Sequence, residues 1–404
     1  MTALYGSEAT ATMQALILQR KHSLTLQRYI TTDSEINMLK FGNNGKFRVM
    51  HITDTHIQNE NAEASLFLIE EAVRRELPDI AVITGDNVLN YDDESVTKGY
   101  IERLMNIFEK YSVPSAVTFG NHDSETGALS RGELMQIFSS YPCHVAAADV
   151  KPFAETSYNV PVMSNDGKNT VFNLWIFDSG DYDSEGHYGC MSEEDVLWYE
   201  KKCDELTALH GGKAVPSLAF QHIIVPEVYE ALRMTKKRKL YSFRHMYKRD
   251  EYYMFSPDGI NYGTLNETPC SGYENFGQFD AMVRKGDVLA VFSGHDHTNA
   301  FGVKYKGIDI MNSLSTRSES DRFSSQYGYR IIEIDENDPT RYETYVSRWY
   351  NMFSLNDIKA LKQKGDFFGA SVVSCVKYRG LIQRFLTFTG RSFCRIVTGR
   401  KNTY

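Results

Sequence analysis

The chain is 404 residues long, 42% hydrophobic and 24% charged, with a formal net charge of −8. That balance excludes an intrinsically disordered chain, which holds far fewer apolar residues, and a dedicated nucleic-acid binder, which carries a basic footprint. Six scattered cysteines without a C-x-x-C pair exclude a disulfide-dense scaffold and read as thiols of a reducing compartment.

The first residues, "MTALYGSEATATMQALILQRKHS", lack the basic start and long apolar stretch of a secretory signal. No window approaches the roughly 20 apolar residues of a membrane-spanning helix. A cytoplasmic chain is therefore expected, with residues 1–45 as an N-terminal extension.

From residue 47 a phrase recurs: a short apolar run ending in a polar, Gly- or His-bearing motif. The first is "FRVMHITDTH" (Phe47 to His56). A helix over Asn61 to Asp79 follows, with Leu66, Ile69, Val73 and Leu77 at helical spacing and Pro78 as its stop. "IAVITGDN" (Ile80 to Asn87) leads to a second helix before Pro114, and "SAVTFGNHD" (Ser115 to Asp123) follows it. "LWIFDSGDY" (Leu174 to Tyr182), a helix over Glu193 to Leu209 and "SLAFQH" (Ser217 to His222) continue the rhythm. Residues 227–280, rich in Tyr, Lys, Arg, Gly and Pro, interrupt it and read as an inserted lobe. The rhythm resumes with "VLAVFSGHDHTN" (Val288 to Asn299), and β-like alternation continues to Trp349. Strands alternating with helices predict an α/β domain over residues 46–350 with a largely parallel sheet. Residues 351–404 form a basic C-terminal extension, with ten Lys or Arg against Asp357 and Asp366, on a remainder of about −16. Such a tail suits peripheral contact with an anionic membrane surface, or contact with the chain itself.

In α/β sheets ligands bind beyond the carboxyl ends of strands, so these motifs share one rim. Asp54 and His56, two apart, reach one point if they continue a strand, and so do His295 and His297. Asp86 follows Gly85; Asn121, His122 and Asp123 follow Gly120; His222 ends its own run. Carboxylate, amide and imidazole donors together suit first-row transition metals. The count fits two ions if Asp86 bridges. One would take Asp54, His56, Asp86 and one imidazole of the His295/His297 pair. The other would take Asp86, Asn121, His222 and the remaining imidazole. Two divalent ions a few ångströms apart lower the pKa of a water and clamp the oxygens of an in-line displacement.

The ordered set "DTH", "GDN", "GNHD", "QH", "GHDH" resembles the calcineurin-like metallophosphoesterase family, and within it the branch of small purple-acid-phosphatase-like enzymes. That resemblance implies a two-sheet sandwich flanked by helices (α/β/β/α), two divalent ions and hydrolysis of a phosphoester. It implies Asp54, His56, Asp86 and His297 as ligands of one metal, and Asp86, Asn121, His222 and His295 as ligands of the other. It also implies His122 as the non-ligand acid that contacts the phosphate and protonates the leaving oxygen, with Asp123 as a candidate to orient its ring. Leu89 stands where purple enzymes carry an iron-binding Tyr, and Thr55-His56 where they carry x-Gly, so divalent Mn, Fe or Zn is expected rather than a ferric tyrosinate centre.

The expected substrate is a small phosphomonoester; the alternatives are a phosphodiesterase and a catalytically silent scaffold. His187 and Asn299 are further candidate substrate contacts. Asp296, between the paired histidines, is expected to point away from the ions, and the run Lys236 to Lys239 to be either an anion lure or a solvated face.

Overall fold

The computed structural model describes residues 38–145, 156–318 and 326–378. The expected extensions therefore lie partly outside it, at residues 1–37 and 379–404. The first strands are β1 (Leu39–Lys40), β2 (Lys46–Ile52), β3 (Ile80–Thr84) and β4 (Ser115–Thr118). Next come β5 (Tyr158–Met163), β6 (Thr170–Ile176) and β7 (Ser217–Phe220). The inserted region supplies β8 (Arg233–Thr235), β9 (Phe243–Arg244), β10 (Tyr252–Met254) and β11 (Asn261–Thr264). The last five are β12 (Val288–Ser293), β13 (Ala300–Tyr305), β14 (Ile308–Asn312), β15 (Gly328–Asp335) and β16 (Tyr342–Arg348).

They build two large sheets, of order β16-β15-β2-β3-β4 and β1-β5-β6-β7-β12-β14-β13-β11, and a small sheet β8-β10-β9. Strands β2, β3 and β4 are parallel neighbours in the first, as are β6, β7 and β12 in the second. The largely parallel sheet predicted from the strand–helix rhythm is resolved into two mixed sheets, each with a parallel centre, as the resemblance implied. Every residue of β3, β4 and β7 is buried, which is why these runs read as continuous apolar stretches.

The alternation of side chains along a strand divides the core in two. Ala290 and Phe292 join Leu218, Phe220, Val49 and Ile331 between the sheets. Val291 turns the other way and packs with Trp175, Phe177, Trp198 and Phe279, under helices Glu193–Leu209 and Gln278–Lys285. Helices Ala62–Glu76 and Glu94–Tyr111 connect β2 to β3 and β3 to β4 and bury Leu66, Ile69, Val73, Ile101, Leu104 and Phe108. Each such side chain contributes about 1.5–3 kcal/mol by leaving water. The result is the α/β/β/α sandwich.

Caps set the helix starts. The Asp93 and Ser192 side chains accept from Ser95 N and Asp195 N, and Ser130 forms a capping box with Glu133. A polar bridge crosses between the sheets: the buried His51 ring contacts Ser313 Oγ, just past β14 of the other sheet, at 2.9 Å and Thr84 Oγ1 of its own at 2.7 Å. The described part of the basic tail lies on the body. Phe353, Val373 and Val376 join the larger core cluster, and Arg75 of the helix Ala62–Glu76 reaches Asp357 at 3.2 Å and Met352 O at 2.8 Å.

Candidate metal centre

The motifs meet where the parallel centres of the two sheets end. Strand β2 stops at Ile52 and β12 at Ser293, so neither Asp54 and His56 nor His295 and His297 continue a pleated strand. The pleat is not what aligns them. Asp54, His56, Asp86 and His295 all have left-handed backbones, with φ of 51°, 40°, 51° and 69°. Such values are uncommon for non-glycine residues and concentrate where the surroundings enforce them. Here the enforcement is a ladder between loops: Asp54 N donates to Gly85 O at 3.0 Å and His56 N to Asp86 O at 2.8 Å.

Asp54 Oδ2 accepts from Thr53 Oγ1 at 2.8 Å and His295 N at 3.0 Å, while Oδ1 is buried without a hydrogen-bond partner. Asp86 repeats the pattern. Its Oδ1 accepts from His122 N at 2.9 Å, and its buried Oδ2 has no hydrogen-bond partner. Asn121 gives its amide NH2 to Tyr182 Oη at 2.7 Å, which leaves Oδ1 buried and unpartnered. His222 donates from Nδ1 to Thr84 O at 2.8 Å, fixing Nε2 as the lone-pair nitrogen.

The free atoms of Asp54, Asp86 and His222 converge with three more imidazoles. His56 Nε2 lies 3.1 Å from His297 Nε2 and 3.5 Å from Asp86 Oδ2, with Asp54 Oδ1 3.4 Å from His297. On the other side, His222 Nε2 lies 3.2 Å from His295 Nδ1 and 3.3 Å from Asp86 Oδ2. Two groups of donor atoms result, Asp54–His56–Asp86–His297 and Asp86–His222–His295, each within 4.8 Å and sharing Asp86. A buried polar atom left unpaired costs about 1–3 kcal/mol, and more if charged. Three orphaned oxygens and two meetings of ring nitrogens at one point are relieved together by cations, so these residues fit two ions.

The electrostatics agree. Burial pushes the Asp54 carboxyl up, but the His222 and His297 imidazoles outweigh it and hold it below the ordinary range. Burial pushes His222 down, yet Asp86 and Asp54 lift it to about 10, whereas burial and His222 lower its neighbour His295 to about 3.

Glycine is required at the back of this nest. A Cβ on Gly120 would stand 2.3 Å from Asp86 Oδ1 and 2.6 Å from His222 Nε2. Gly85, at φ +83°, passes so close that its Cβ would meet Gly120 N at 2.3 Å.

Three expected roles are corrected. Asp123 does not orient the His122 ring. Its carboxylate takes the backbone N–H groups of Asp86, Gly120 and Asn87 at 2.7, 2.7 and 2.9 Å and so ties two loops together. The group on His122 Nδ1 is Glu125, whose other oxygen lies 3.5 Å from Tyr182 Oη. The signal for it was in the string "GNHDSE", three residues past the histidine. Asn299 is saturated by Asn266 N, Glu267 N, Glu267 O and Asp296 Oδ2, and its side chain has nothing left for a ligand. His187 is held by Asp183 at 2.9 Å and stacks on Tyr273 at 4.1 Å. Neither lines the cleft beside the centre, which is formed by His56, Gln58, Asp86, Val88, Leu89 and His122. Asp296 does turn away, accepting from Cys270 N at 3.1 Å.

A two-sheet sandwich with carboxylates and imidazoles converging at its strand ends is the architecture of a metallophosphoesterase. The chain belongs to the calcineurin-like phosphoesterase family, whose sequence pattern matches residues 47–299. It is 24% identical over 316 residues to "Probable inactive purple acid phosphatase 29" of Arabidopsis thaliana, spanning 70% of this chain and 74% of that one. With "Probable inactive purple acid phosphatase 28" of the same plant it shares 26% identity over 307 residues, 67% of this chain and 70% of that one. A dimetal phosphatase from Danio rerio aligns structurally over 72% of this chain and 93% of its own, with 14% identity and a TM-score of 0.47. No helix among the described residues is long and apolar enough to cross a membrane.

Proposed function

We propose that this protein is a metal-dependent hydrolase of phosphomonoesters. The observation that carries the reading is the pair of donor groups sharing Asp86, with Asp54 Oδ1, Asp86 Oδ2 and Asn121 Oδ1 buried and unpaired. Asp54, His56, Asp86 and His297 would hold one divalent ion (Mn, Fe or Zn), and Asp86, Asn121, His222 and His295 the other. When bound, the ions supply Lewis-acid stabilisation of phosphoryl oxygens and an acidified water.

The chain's own groups do the rest. Asn121 is oriented by Tyr182, so that its oxygen and not its NH2 faces inward. His122 stands half-exposed at the cleft, its ring 5.5 Å from that of His56. With Nδ1 engaged by Glu125, Nε2 is the ring atom available to contact the phosphate and protonate the leaving oxygen. Asp123 keeps the loops of Asp86 and Asn121 in register. The word "inactive" in the relatives' names favours a second reading, a non-catalytic scaffold, against which stands the complete set of donors together with His122.

Metal-reconstituted protein, assayed by elemental analysis and on p-nitrophenyl phosphate and bis-p-nitrophenyl phosphate, decides among these. The expected result is two ions per chain, faster monoester turnover, and a loss of about 10²–10⁴-fold in His122→Ala. Strong diester preference sinks the monoester assignment; two bound ions with no turnover favours the scaffold.

A further inference from the structure

We propose that the hairpin sheet β8-β10-β9, through its basic segment Arg233–Arg249, docks this protein onto a lipid surface that carries anionic headgroups. The segment "RMTKKRKLYSFRHMYKR" contains eight Lys or Arg and no acid, in a chain whose net charge is −8. Its apolar side chains are not hidden. Leu240 is 59% and Tyr241 58% exposed, and Met234 and Met246 are exposed beside them.

The exposure is built in. Ser242 is buried, and its hydroxyl accepts from Lys239 N and donates to Lys239 O, both at 2.7 Å, which closes the tip. Tyr241 has φ +61°, a backbone that disfavours a bulky residue. Strands β8, β10 and β9 form the base, where the buried His245 ring stacks on Tyr229 at 3.9 Å. The sheet thus presents a rigid tip of two large apolar side chains in a basic collar.

The collar is barely neutralised. Among the described residues Glu251 is the carboxylate that ion-pairs with it, 3.5 Å from Lys236 and 4.0 Å from Lys248. Arg233, Lys237, Arg238, Lys239 and Arg249 have no ion-pair partner among the described residues. Basic residues beside exposed apolar ones are the two signals that peripheral membrane binding requires. Each base near an anionic leaflet strengthens binding by about five-fold. A nucleic-acid strand would use the bases but gain little from Leu240, Met234 and Met246, and the acidic body would repel it beyond the hairpin.

The opposite end of the lobe grips the metal-centre loop, through Cys270 N to Asp296 at 3.1 Å and Asn266 N to Asn299 at 2.7 Å. Docking would hence hold the cleft at a set distance from the surface. The proposal needs no catalytic activity and is tested without it.

The test is co-sedimentation of the full-length protein with phosphatidylcholine vesicles, with and without phosphatidylserine, at low and high salt. The expected result is binding to the phosphatidylserine vesicles alone. Lys237→Gln with Lys239→Gln should weaken it about 25-fold at low salt, and Leu240→Ser should weaken it at both salt concentrations. The variants should melt at the wild-type temperature, since every changed side chain is exposed. Absence of vesicle binding overturns the proposal. So does binding that survives the hairpin changes but is lost in Arg384→Gln with Arg395→Gln, which assigns the contact to the tail. Displacement by an oligonucleotide with no effect of Leu240→Ser overturns it in favour of a polyanion.

Discussion

The strand-end rim and the hairpin Arg233–Arg249 both concentrate charge, and they handle it in opposite ways. At the rim, two carboxylates, an amide and one imidazole are buried and three more imidazoles half-buried, and the carboxylate and imidazole atoms are aimed at each other. At the hairpin, eight bases face water, and Glu251 is the carboxylate that pairs with two of them. Burying like-purposed donors without partners costs stability, and the rim is a cluster that could hold positive ions to offset that cost. An exposed base is hydrated and costs little, so the hairpin is stable alone and its charge is free to meet a partner. Incomplete and buried differs from incomplete and exposed.

The largest expected effect is at the rim. Asp86→Asn removes the carboxylate common to both donor groups. It should lower turnover at least a thousand-fold, about 4 kcal/mol or more, and reduce bound metal below two ions by elemental analysis. Retained metal and activity would erase the distinction between rim and hairpin.

A buried polar group away from both regions sharpens the contrast. His144 is buried with neither ring nitrogen hydrogen-bonded, and burial lowers its pKa from 6.5 to about 4. Below pH 6.5 the unfolded chain takes up this proton before the folded one. Stability is therefore lost as pH falls from 6.5 to about 4, by up to roughly 3 kcal/mol. Denaturant unfolding across that range should show a shallower acid loss in His144→Leu; equal slopes would assign the loss elsewhere.

Glu125→Gln should act more weakly, by roughly ten-fold on kcat, with KM nearly unchanged. The loss should be greater for an alkyl phosphate than for p-nitrophenyl phosphate, because a good leaving group needs no proton. A uniform loss across leaving groups would make Glu125 structural. Smallest of all, Lys237→Gln and Lys239→Gln should leave the unfolding free energy within about 0.5 kcal/mol and turnover of a soluble substrate unchanged. A larger shift would mean that the hairpin's charge is structural after all.

Much of this was legible in the chain. The runs that became β2, β3, β4, β6, β7 and β12 were apolar because they are buried on both faces, and every candidate donor stood just past one of them. Glu125 was within view but is picked out only by a rotamer and a loop path. Asp123 and Asn299 looked equally available, but each is consumed by backbone groups that come from far along the chain. The hairpin's bases were visible as a run, whereas the exposure of Leu240 and Tyr241 beside them was not.

What the sequence by itself determined is the alternation of buried runs with glycine-bearing polar ends, because solvent exclusion and backbone sterics act residue by residue. What only the tertiary structure decided is which atoms of those ends meet. The split into two sheets brings three strand ends from one and two from the other to one place, and left-handed turns, rather than the pleat, aim Asp54, His56, Asp86 and His295 inward. That aim depends on hydrogen bonds between loops far apart in the chain, and no local spacing encodes such bonds.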